Sequence, residues 1–308
     1  MSGEATVAQI TSFMISLKMR GENATDIAAG ASQMRANATR INAPENAIDI
    51  VGTGGDGAHS LNISTAAAII VAGCNVPVAK HGNKAVSSKS GAADILNEMG
   101  INLECDLNLI EKAITEAGIC FLMAPRHHPA LRHVGPTRVE LGVRTIFNLL
   151  GPLSNPALVD KALIGVYDAK WARPCAEALN HLGTKYAFIV HGDGGLDEVS
   201  LSGPTLVQAL DSGNITEFVI NPSDFGVSCE PIESIKGGDP KYNASKLEEL
   251  LSGKTGPYRN IACMNAATAL VATKNENQLI DAFKRAEHAI DTGAAKSVLN
   301  KLVQITNS

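Results

Sequence analysis

The sequence has few aromatic residues and no clustered cysteines. Aromatic residues make up 4% of the 308 residues, and Trp171 is the single tryptophan. Single-stranded nucleic acids are commonly bound by aromatic rings that stack on the bases, so this class of partner is disfavoured. The six cysteines include no CxxC pair and no spacing typical of metal ligands. We therefore expect reduced thiols, as in a cytoplasmic protein.

The sequence also lacks an excess of basic residues and a long apolar segment. There are 26 Lys and Arg residues against 31 Asp and Glu residues, a formal net charge of −5. This balance disfavours a general electrostatic attraction to nucleic acid or to an anionic membrane. The longest apolar run, residues 66–74, is too short to span a bilayer, and the first ten residues do not form a signal peptide. We expect a cytoplasmic enzyme with no membrane or nucleic-acid partner.

Hydrophobic periodicity predicts an α/β fold. Near the N-terminus, apolar residues repeat with the period of a helix at Ile10, Phe13, Met14 and Leu17. Further along, short β-branched runs alternate with helical stretches, which implies a mainly parallel central sheet flanked by helices. The predicted strands are 48–51, 76–80, 119–123, 163–167, 187–190 and 217–220. The predicted helices are 64–72, 91–99, 107–117, 172–182, much of 129–150, and 260–303.

A glycine-rich loop follows the first predicted strand. Residues 52–57 have the sequence GTGGDG, and residues 62–65, NIST, open the next helix. Glycines let backbone N–H groups approach a ligand closely, and a helix N-terminus attracts anions, so this segment is a candidate phosphate or pyrophosphate cradle. The alternative is a tight structural turn with Asn62 or Ser64 as an ordinary N-cap.

Two further candidate segments follow predicted strands. Residues 80–91 contain three lysines, three serines and an asparagine, a donor-rich group that suits a ligand with several phosphate charges, although a solvated loop has the same composition. Asp197 and Glu198 come after the strand 187–190. Paired carboxylates at a strand exit are hard oxygen ligands of the kind that Mg²⁺ prefers, whereas the alternative is an exposed acidic pair.

Residues 126–152 contain several basic side chains and a Gly-Pro turn. If 138–144 is one helix, Glu140 and Arg144 are i, i+4 neighbours and pair with each other. Arg138 then lies on another face, free either to bind a carboxylate or to be solvated. His128, with its neighbour His127, is a candidate for substrate positioning, with capping or packing as the alternative. No nucleophile–base–orienter arrangement is present, so we assign no covalent or acid–base catalytic residue.

Several motifs together resemble one family. The segments GTGGD at 52–56, NIST at 62–65, KHGN at 80–83, RTIFNLLGPL at 144–153 and LDE at 196–198 are similar, in the same order, to those of anthranilate phosphoribosyltransferases. The resemblance implies transfer of phosphoribose from phosphoribosyl pyrophosphate (PRPP) to the amino group of anthranilate, with two Mg²⁺ ions and release of pyrophosphate. It also implies a homodimer.

The resemblance assigns domains and site residues. A small discontinuous helical domain would comprise residues 1–43 and about 127–150, and a large α/β domain residues 44–126 and 151–308. The implied PRPP-binding residues are Gly52, Gly55, Asp56, Ser60, Asn62, Ile63, Ser64, Thr65, Lys80, His81, Gly82, Asn83, Lys84, Ser87, Ser88 and Ala92. The implied anthranilate-binding residues are Gly52, Asn83, His128, Arg138, Gly151 and Pro152. The implied metal ligands are Ser64, Asp197 and Glu198.

The chain departs from the family pattern at a few positions. Lys84 replaces an arginine, which keeps the charge but loses the bidentate fork, and Ala92 replaces a serine hydroxyl. The first residues correspond to a point within the family's N-terminal helices, from which we expect a weaker dimer rather than weaker catalysis. Two alternatives stay open: a pyrimidine nucleoside phosphorylase-like enzyme, and a non-catalytic, nucleic-acid-binding relative with the same fold.

Overall fold

The computed structural model describes residues 3–84 and 90–308. The chain begins with two helices, α1 (Val7–Arg20) and α2 (Ala24–Ala36). Each opens with a capping box, in which the side chain of Thr6 or Asn23 accepts a hydrogen bond from the backbone three residues later. These caps explain why both helices begin where they do.

The rest of the chain alternates between strands and helices, as the hydrophobic pattern predicts. In chain order the elements are β1 (Asp49–Gly52), α3 (Ile63–Gly73), β2 (Val78–Gly82), α4 (Ala92–Glu98), α5 (Leu107–Glu116), β3 (Ile119–Met123), α6 (Ala124–His127), α7 (Gly135–Leu141), α8 (Phe147–Leu150), β4 (Lys161–Gly165), α9 (Ala172–His181), β5 (Tyr186–Gly192), β6 (Thr205–Asp211), β7 (Asn214–Ile220), α10 (Pro240–Leu251), α11 (Pro257–Ala272), α12 (Leu279–Asp291) and α13 (Ala294–Thr306).

The strands form a mainly parallel arrangement. A five-stranded sheet has the order β1-β4-β5-β6-β7, and β2 and β3 form a parallel pair. Ile48 bridges Val78 in parallel, which places this pair next to β1. Strands β1, β4 and β5 are parallel, so their carboxyl ends and those of β2 and β3 lead into the loops on which ligands of such sheets bind. The predicted α/β fold is confirmed.

Three elements were absent from the sequence prediction, and the shortest is α6. Strand β6 pairs antiparallel with β5 and with β7, and a two-residue turn at Ser212 and Gly213 joins β6 to β7. Both turn residues have positive φ, 48° and 96°, as hairpin turns of this length require. Helix α10 was also missed. Strand β6 and helix α10 both lie far from the glycine-rich loop along the chain.

Two hydrophobic cores hold the fold together. In the larger, α3 is buried along almost its whole length because α11, α12 and α13 cover it. In the smaller, Ile27 and Met34 of α2 join Leu149 of α8, Ile164 of β4 and Cys175 of α9. The first helices therefore share a core with one face of the sheet. The discontinuous domain boundary stays a prediction.

One predicted helix ends earlier than expected. Helix α7 stops at Leu141, and Gly142 follows in the left-handed conformation with φ 60°. Arg144 therefore lies outside the helix, and the predicted i, i+4 pair with Glu140 is wrong.

At the N-terminus, Met14 is buried as expected, whereas Phe13 is 63% exposed. None of the helices in the described part of the chain has the length and apolar content needed to cross a membrane.

Candidate functional site

The glycine-rich loop contacts the paired carboxylates. Gly54 donates its backbone N–H to Asp197 Oδ2 at 2.6 Å, and the Thr53 hydroxyl lies 3.5 Å from the same oxygen. A Cβ on Gly52 would lie 2.5 Å from Asp197 Oδ2, so only glycine fits at the end of β1. The loop after β1 and the segment after β5 thus meet at the carboxyl edge of the sheet.

The N-terminus of α3 contacts the second carboxylate. Ser64 donates its backbone N–H to Glu198 Oε1 at 3.1 Å. A carboxylate at this end of a helix is stabilised by the free N–H groups and by the helix dipole. Asn62 occupies the N-cap position but makes no capping bond. Its side chain instead accepts from Asn243 Nδ2 at 2.9 Å and lies 3.4 Å from the Ser90 carbonyl. The alternative that the Asn62 side chain caps α3 is therefore wrong.

Burial perturbs both carboxyl groups of the pair. Burial and the nearby Asp56 raise the pKa of Asp197 to about 7. Burial and the adjacent Asp197 raise the pKa of Glu198 to about 8. Like charges held close together out of water resist ionisation, so the pair favours a bound cation.

A buried lysine lies near the pair. Lys80, on β2, is 3% exposed and donates its ammonium to the Ile50 carbonyl at 2.5 Å. Burial lowers its pKa, and the negative charges of Asp49, Glu198 and Asp197 oppose that shift. The positive charge of buried Lys80 therefore offsets part of the negative charge of these three carboxylates.

Asp49 connects the first two strands to the Gly-Pro turn. Its carboxylate accepts from the His81 backbone N–H at 3.0 Å and from Asn155 Nδ2 at 2.7 Å. Asn155 Nδ2 also donates to the Ala79 carbonyl at 2.8 Å. Burial raises the pKa of Asp49 to about 6. Sequence reasoning missed Asp49 and Asn155, because their link depends on a contact between distant segments.

Three buried histidines lie beside the turn. His81 Nδ1 donates to the Gly151 carbonyl at 3.1 Å, and the rings of His81 and His128 are 5.1 Å apart. His127 Nδ1 donates to the Thr39 carbonyl at 2.7 Å, which gives that residue a structural contact. Burial lowers the pKa of His81 to about 3 and that of His128 to about 4. Both rings are therefore neutral near pH 7.

The two candidate arginines contact different surroundings. The Arg138 guanidinium lies 5.5 Å from the centre of the Phe147 ring, and burial lowers its pKa. Arg144 donates to the Gly55 carbonyl and lies 4.0 Å above the Tyr167 ring. Its own carbonyl accepts from Lys18 Nζ at 2.8 Å. Arg144 thus reaches the glycine-rich loop, a contact that sequence reasoning missed.

The other predicted ligand residues lie along the same loops. Ser60 pairs with Lys236 in an isolated bridge, and the Asn83 carbonyl accepts from the Ala93 N–H at 3.2 Å at the start of α4. Pro152 is buried, and Thr65 is buried in the first turn of α3. Gly82 ends β2, Ile63 begins α3, Lys84 is exposed and Ala92 is the first residue of α4. Ser87 and Ser88 lie outside the described residues.

The donor set around the carboxylate pair suits Mg²⁺. Asp197, Glu198 and the Ser64 hydroxyl offer hard oxygen atoms at one edge of the sheet. Within residues 3–84 and 90–308, no group of three His, Cys, Asp or Glu side chains forms a complete metal cluster. Mg²⁺ usually retains water and substrate phosphate ligands, so the oxygen atoms of these three residues are donors of the kind that it uses.

Comparison with family models covers most of the chain. The model described as glycosyl transferase family, a/b domain, matches residues 44–296. The model described as glycosyl transferase family, helical bundle domain, matches residues 1–38. The chain therefore carries both parts of this glycosyl transferase family.

Relatives and solved structures that match nearly the whole chain identify a more specific family. The chain is 53% identical over 308 residues to an anthranilate phosphoribosyltransferase of Azospirillum brasilense, covering 100% of this chain and 86% of that protein. A Thermus thermophilus structure of such an enzyme superposes with a TM-score of 0.95 at 39% identity, covering 100% of this chain and 92% of that one. A Saccharomyces cerevisiae structure, in complex with PRPP and Mg, has a TM-score of 0.89 at 32% identity, covering 98% and 85%. The chain belongs to the anthranilate phosphoribosyltransferase family.

Proposed function

We propose that the enzyme transfers phosphoribose to anthranilate in the cleft between the glycine-rich loop, the N-terminus of α3 and the Gly151-Pro152 turn. The observation that carries this proposal is the contact of both carboxylates with the glycine-rich loop and the N-terminus of α3. Gly54 N–H holds Asp197 and Ser64 N–H holds Glu198. Carboxylates that suit a cation thus lie against a glycine-rich loop and a helix N-terminus that suit an anion, as a metal–diphosphate substrate requires.

PRPP would bind along the loops after β1 and β2. The diphosphate would lie over residues 52–57 and the first turn of α3, because a glycine-rich loop followed by a helix N-terminus favours a bound anion. The Lys80–Lys84 segment and Ala92 line the other side, and Arg144 adds a cation at the rim. Lys80 would act through its charge, since its side chain is buried at 3% exposure and donates to the Ile50 carbonyl.

Asp197, Glu198 and Ser64 would hold Mg²⁺, and the expected number of ions is two. Bound Mg²⁺ neutralises negative charge that develops on the departing pyrophosphate. The backbone donors of the loop would stabilise the same leaving group. Because its negative charge is greater in the transition state than in bound PRPP, these donors lower the barrier to reaction. The chain needs no covalent nucleophile for this displacement.

Anthranilate would bind between His128, Asn83, Gly52, the Gly151-Pro152 turn and Arg138. The neutral rings of His81 and His128 provide an uncharged wall for an aromatic substrate. Arg138, which is half-buried, offers a guanidinium to the carboxylate. Because the neutral aromatic amine is already the attacking form, positioning contributes more than a strong base.

A homodimer through the helical part is a further component of the proposal. Helices α1 and α7 pack together and expose Phe13 and Val139, which are 63% and 80% exposed. Exposed large apolar side chains of this kind are typical of a surface that pairs with another chain.

The cytoplasmic location expected from the sequence stays a prediction.

The test follows anthranilate fluorescence with the purified chain. We expect the signal to fall only when PRPP and Mg²⁺ are both present, and the double variant Asp197→Asn with Glu198→Gln to lose this activity. Glu177→Gln, an exposed change in α9, serves as the matched control. Phosphorolysis of thymidine or uridine without anthranilate turnover would favour the phosphorylase alternative. Tight, salt-dependent DNA binding without turnover would favour the nucleic-acid-binding alternative.

A further inference from the structure

A buried asparagine on α11 contacts the backbone directly after the carboxylate pair. Asn265 is 0% exposed. Its Oδ1 accepts from the Val199 N–H at 2.9 Å, and its Nδ2 donates to the Val199 carbonyl at 3.0 Å. The second Nδ2 hydrogen goes to the Ile261 carbonyl at 2.9 Å within α11. One side chain thus satisfies both backbone groups of the residue that follows Glu198.

We infer that Asn265 is a positioning residue that sets the direction of the Asp197 and Glu198 carboxylates toward the metal. The inference rests on the proposed function, because it assumes that these carboxylates serve Mg²⁺. It concerns a residue that touches neither substrate nor metal and acts only through the Val199 backbone.

The chemistry of the contact requires an amide. A residue that pairs with both the N–H and the C=O of Val199 must offer an acceptor and a donor side by side. Aspartate has the same shape but would set an oxygen against two carbonyl oxygens. Alanine would leave the N–H and C=O of Val199 without this partner in a buried place, which is costly.

The opposite side of the segment is fixed as well. A Cβ on Gly165, at the end of β4, would overlap the Asp197 carbonyl, so the segment packs directly against the sheet edge. Gly192 donates its N–H to the Leu196 carbonyl at 2.8 Å. The segment from Leu196 to Val199 is therefore held between the strand ends and α11, and Asn265 is the polar anchor on the helix side.

The two hydrogen bonds from Asn265 to Val199 oppose a movement of the carboxylate pair. When both are ionised, as metal binding requires, Asp197 and Glu198 are adjacent like charges whose repulsion favours their separation. The two bonds from Asn265 oppose that movement and keep the oxygen atoms of both side chains at the same edge. Partners that orient metal ligands in this way typically change metal affinity by 10- to 100-fold when they are removed.

The experiment measures metal binding apart from catalysis. Mn²⁺, in place of Mg²⁺, is titrated into the full chain with inorganic pyrophosphate present, and free Mn²⁺ is followed by electron paramagnetic resonance. We expect Asn265→Asp and Asn265→Ala to weaken Mn²⁺ binding by about tenfold or more. In parallel, the Mg²⁺ concentration for half-maximal turnover should rise, while the KM for anthranilate stays within about twofold.

A matched control lies one turn further along α11. Thr268 is equally buried, but its hydroxyl donates only to the Met264 carbonyl of its own helix, at 2.8 Å. Thr268→Val should therefore lower thermal stability without changing the Mn²⁺ affinity. If Asn265→Ala does not fold, Asn265→Ser keeps a shorter donor and acceptor and should show intermediate affinity.

The outcomes separate the inference from the proposed function. Asn265 variants that bind Mn²⁺ as tightly as Thr268→Val would overturn the positioning role, even if both are less stable than the wild type. A wild-type chain that consumes no anthranilate would refute the proposed function, while the Mn²⁺ titration still decides the role of Asn265.

Discussion

Arg138 and Arg144 lie six residues apart, but their guanidinium groups contact different parts of the cleft. Arg144 contacts the Gly55 carbonyl and the Tyr167 ring, on the side where the diphosphate is proposed to bind. Arg138 lies over Phe147, on the side proposed for anthranilate. Substitution of each arginine should therefore affect a different substrate.

Replacement of Arg144 tests the PRPP side. We expect Arg144→Ala to raise the KM for PRPP about tenfold, since a charge-assisted hydrogen bond to the loop is lost. The KM for anthranilate should stay within about twofold. Steady-state kinetics with each substrate varied in turn measure both values. Arg173→Ala, an exposed change in α9, is the control. An unchanged KM for PRPP would contradict the proposed role of Arg144.

Replacement of Arg138 tests the anthranilate side. We expect Arg138→Ala to raise the KM for anthranilate about tenfold because the partner of the substrate carboxylate is removed. The KM for PRPP should change little. The same assay with anthranilate methyl ester, which lacks the carboxylate charge, should show a much smaller difference between variant and wild type. Equal KM values for anthranilate in variant and wild type would refute the assignment.

Single residues show what the sequence could and could not predict. The position of Asp197 and Glu198 after a strand was predictable, because an apolar run, three glycines and two carboxylates follow one another along the chain. The contact of Arg144 with Gly55 was not, because it depends on the left-handed turn at Gly142 that ends α7. Asn265 gave no signal, since an asparagine inside an apolar helix resembles any other buried residue until its partner segment is known.

At the scale of elements, β1, β2 and the turn after α8 are joined by buried polar groups. Asn155 bridges the Asp49 carboxylate and the Ala79 carbonyl, and His81 holds the Gly151 carbonyl. A buried polar group costs free energy unless it is bonded, so these bonds favour one relative placement of strands and turn. The Gly151-Pro152 turn is thus attached directly to the strand that carries the substrate loop.

This arrangement predicts a pH-dependent stability. Burial, followed by the nearby His128, lowers the pKa of His81 from 6.5 to about 3. Below pH 6.5 the unfolded chain binds a proton that the folded chain excludes, so the free energy of unfolding falls as the pH falls from 6.5 toward 3. From about pH 7.5 to about pH 5, we expect the wild type to lose about 2 kcal/mol that His81→Asn does not lose.

Urea unfolding at several pH values measures this difference. His181→Asn, on the exposed end of α9, provides the control and should follow the wild type. Parallel stability curves for wild type and His81→Asn between about pH 7.5 and about pH 5 would mean that the imidazole is not held neutral in the folded chain.

The elements themselves were predicted unevenly. Strands in the parallel part of the sheet appear as short apolar runs, and those were found. Strand β6 was missed, although its turn residues Ser212 and Gly213 are typical of a hairpin, because the alternation in 205–211 is interrupted by a buried Gln208 and Ala209. The missed strand β6 does not contact the carboxylate pair or the glycine-rich loop in the contacts described above, whereas the missed helix α10 supplies Asn243, which donates to the Asn62 side chain at the start of α3.

At the scale of the whole molecule, the exposed apolar residues of the helical part predict self-association. We expect the wild-type chain to sediment at twice the mass of one chain, and the double variant Phe13→Glu with Val139→Glu to shift toward the mass of one chain. Buried charges without partners oppose association at such an interface. Val219→Glu, 53% exposed on β7, is the control outside the helical part. A wild-type chain that stays monomeric at all concentrations would contradict the dimer.

The central claim is that the glycine-rich loop, α3 and the carboxylate pair form one binding site for PRPP and Mg²⁺. The most direct test is a crystal structure of the chain grown with both. We predict metal density next to Asp197 and Glu198, and the diphosphate over residues 52–57 at the N-terminus of α3. PRPP bound elsewhere, or a metal that contacts neither carboxylate, would contradict the account.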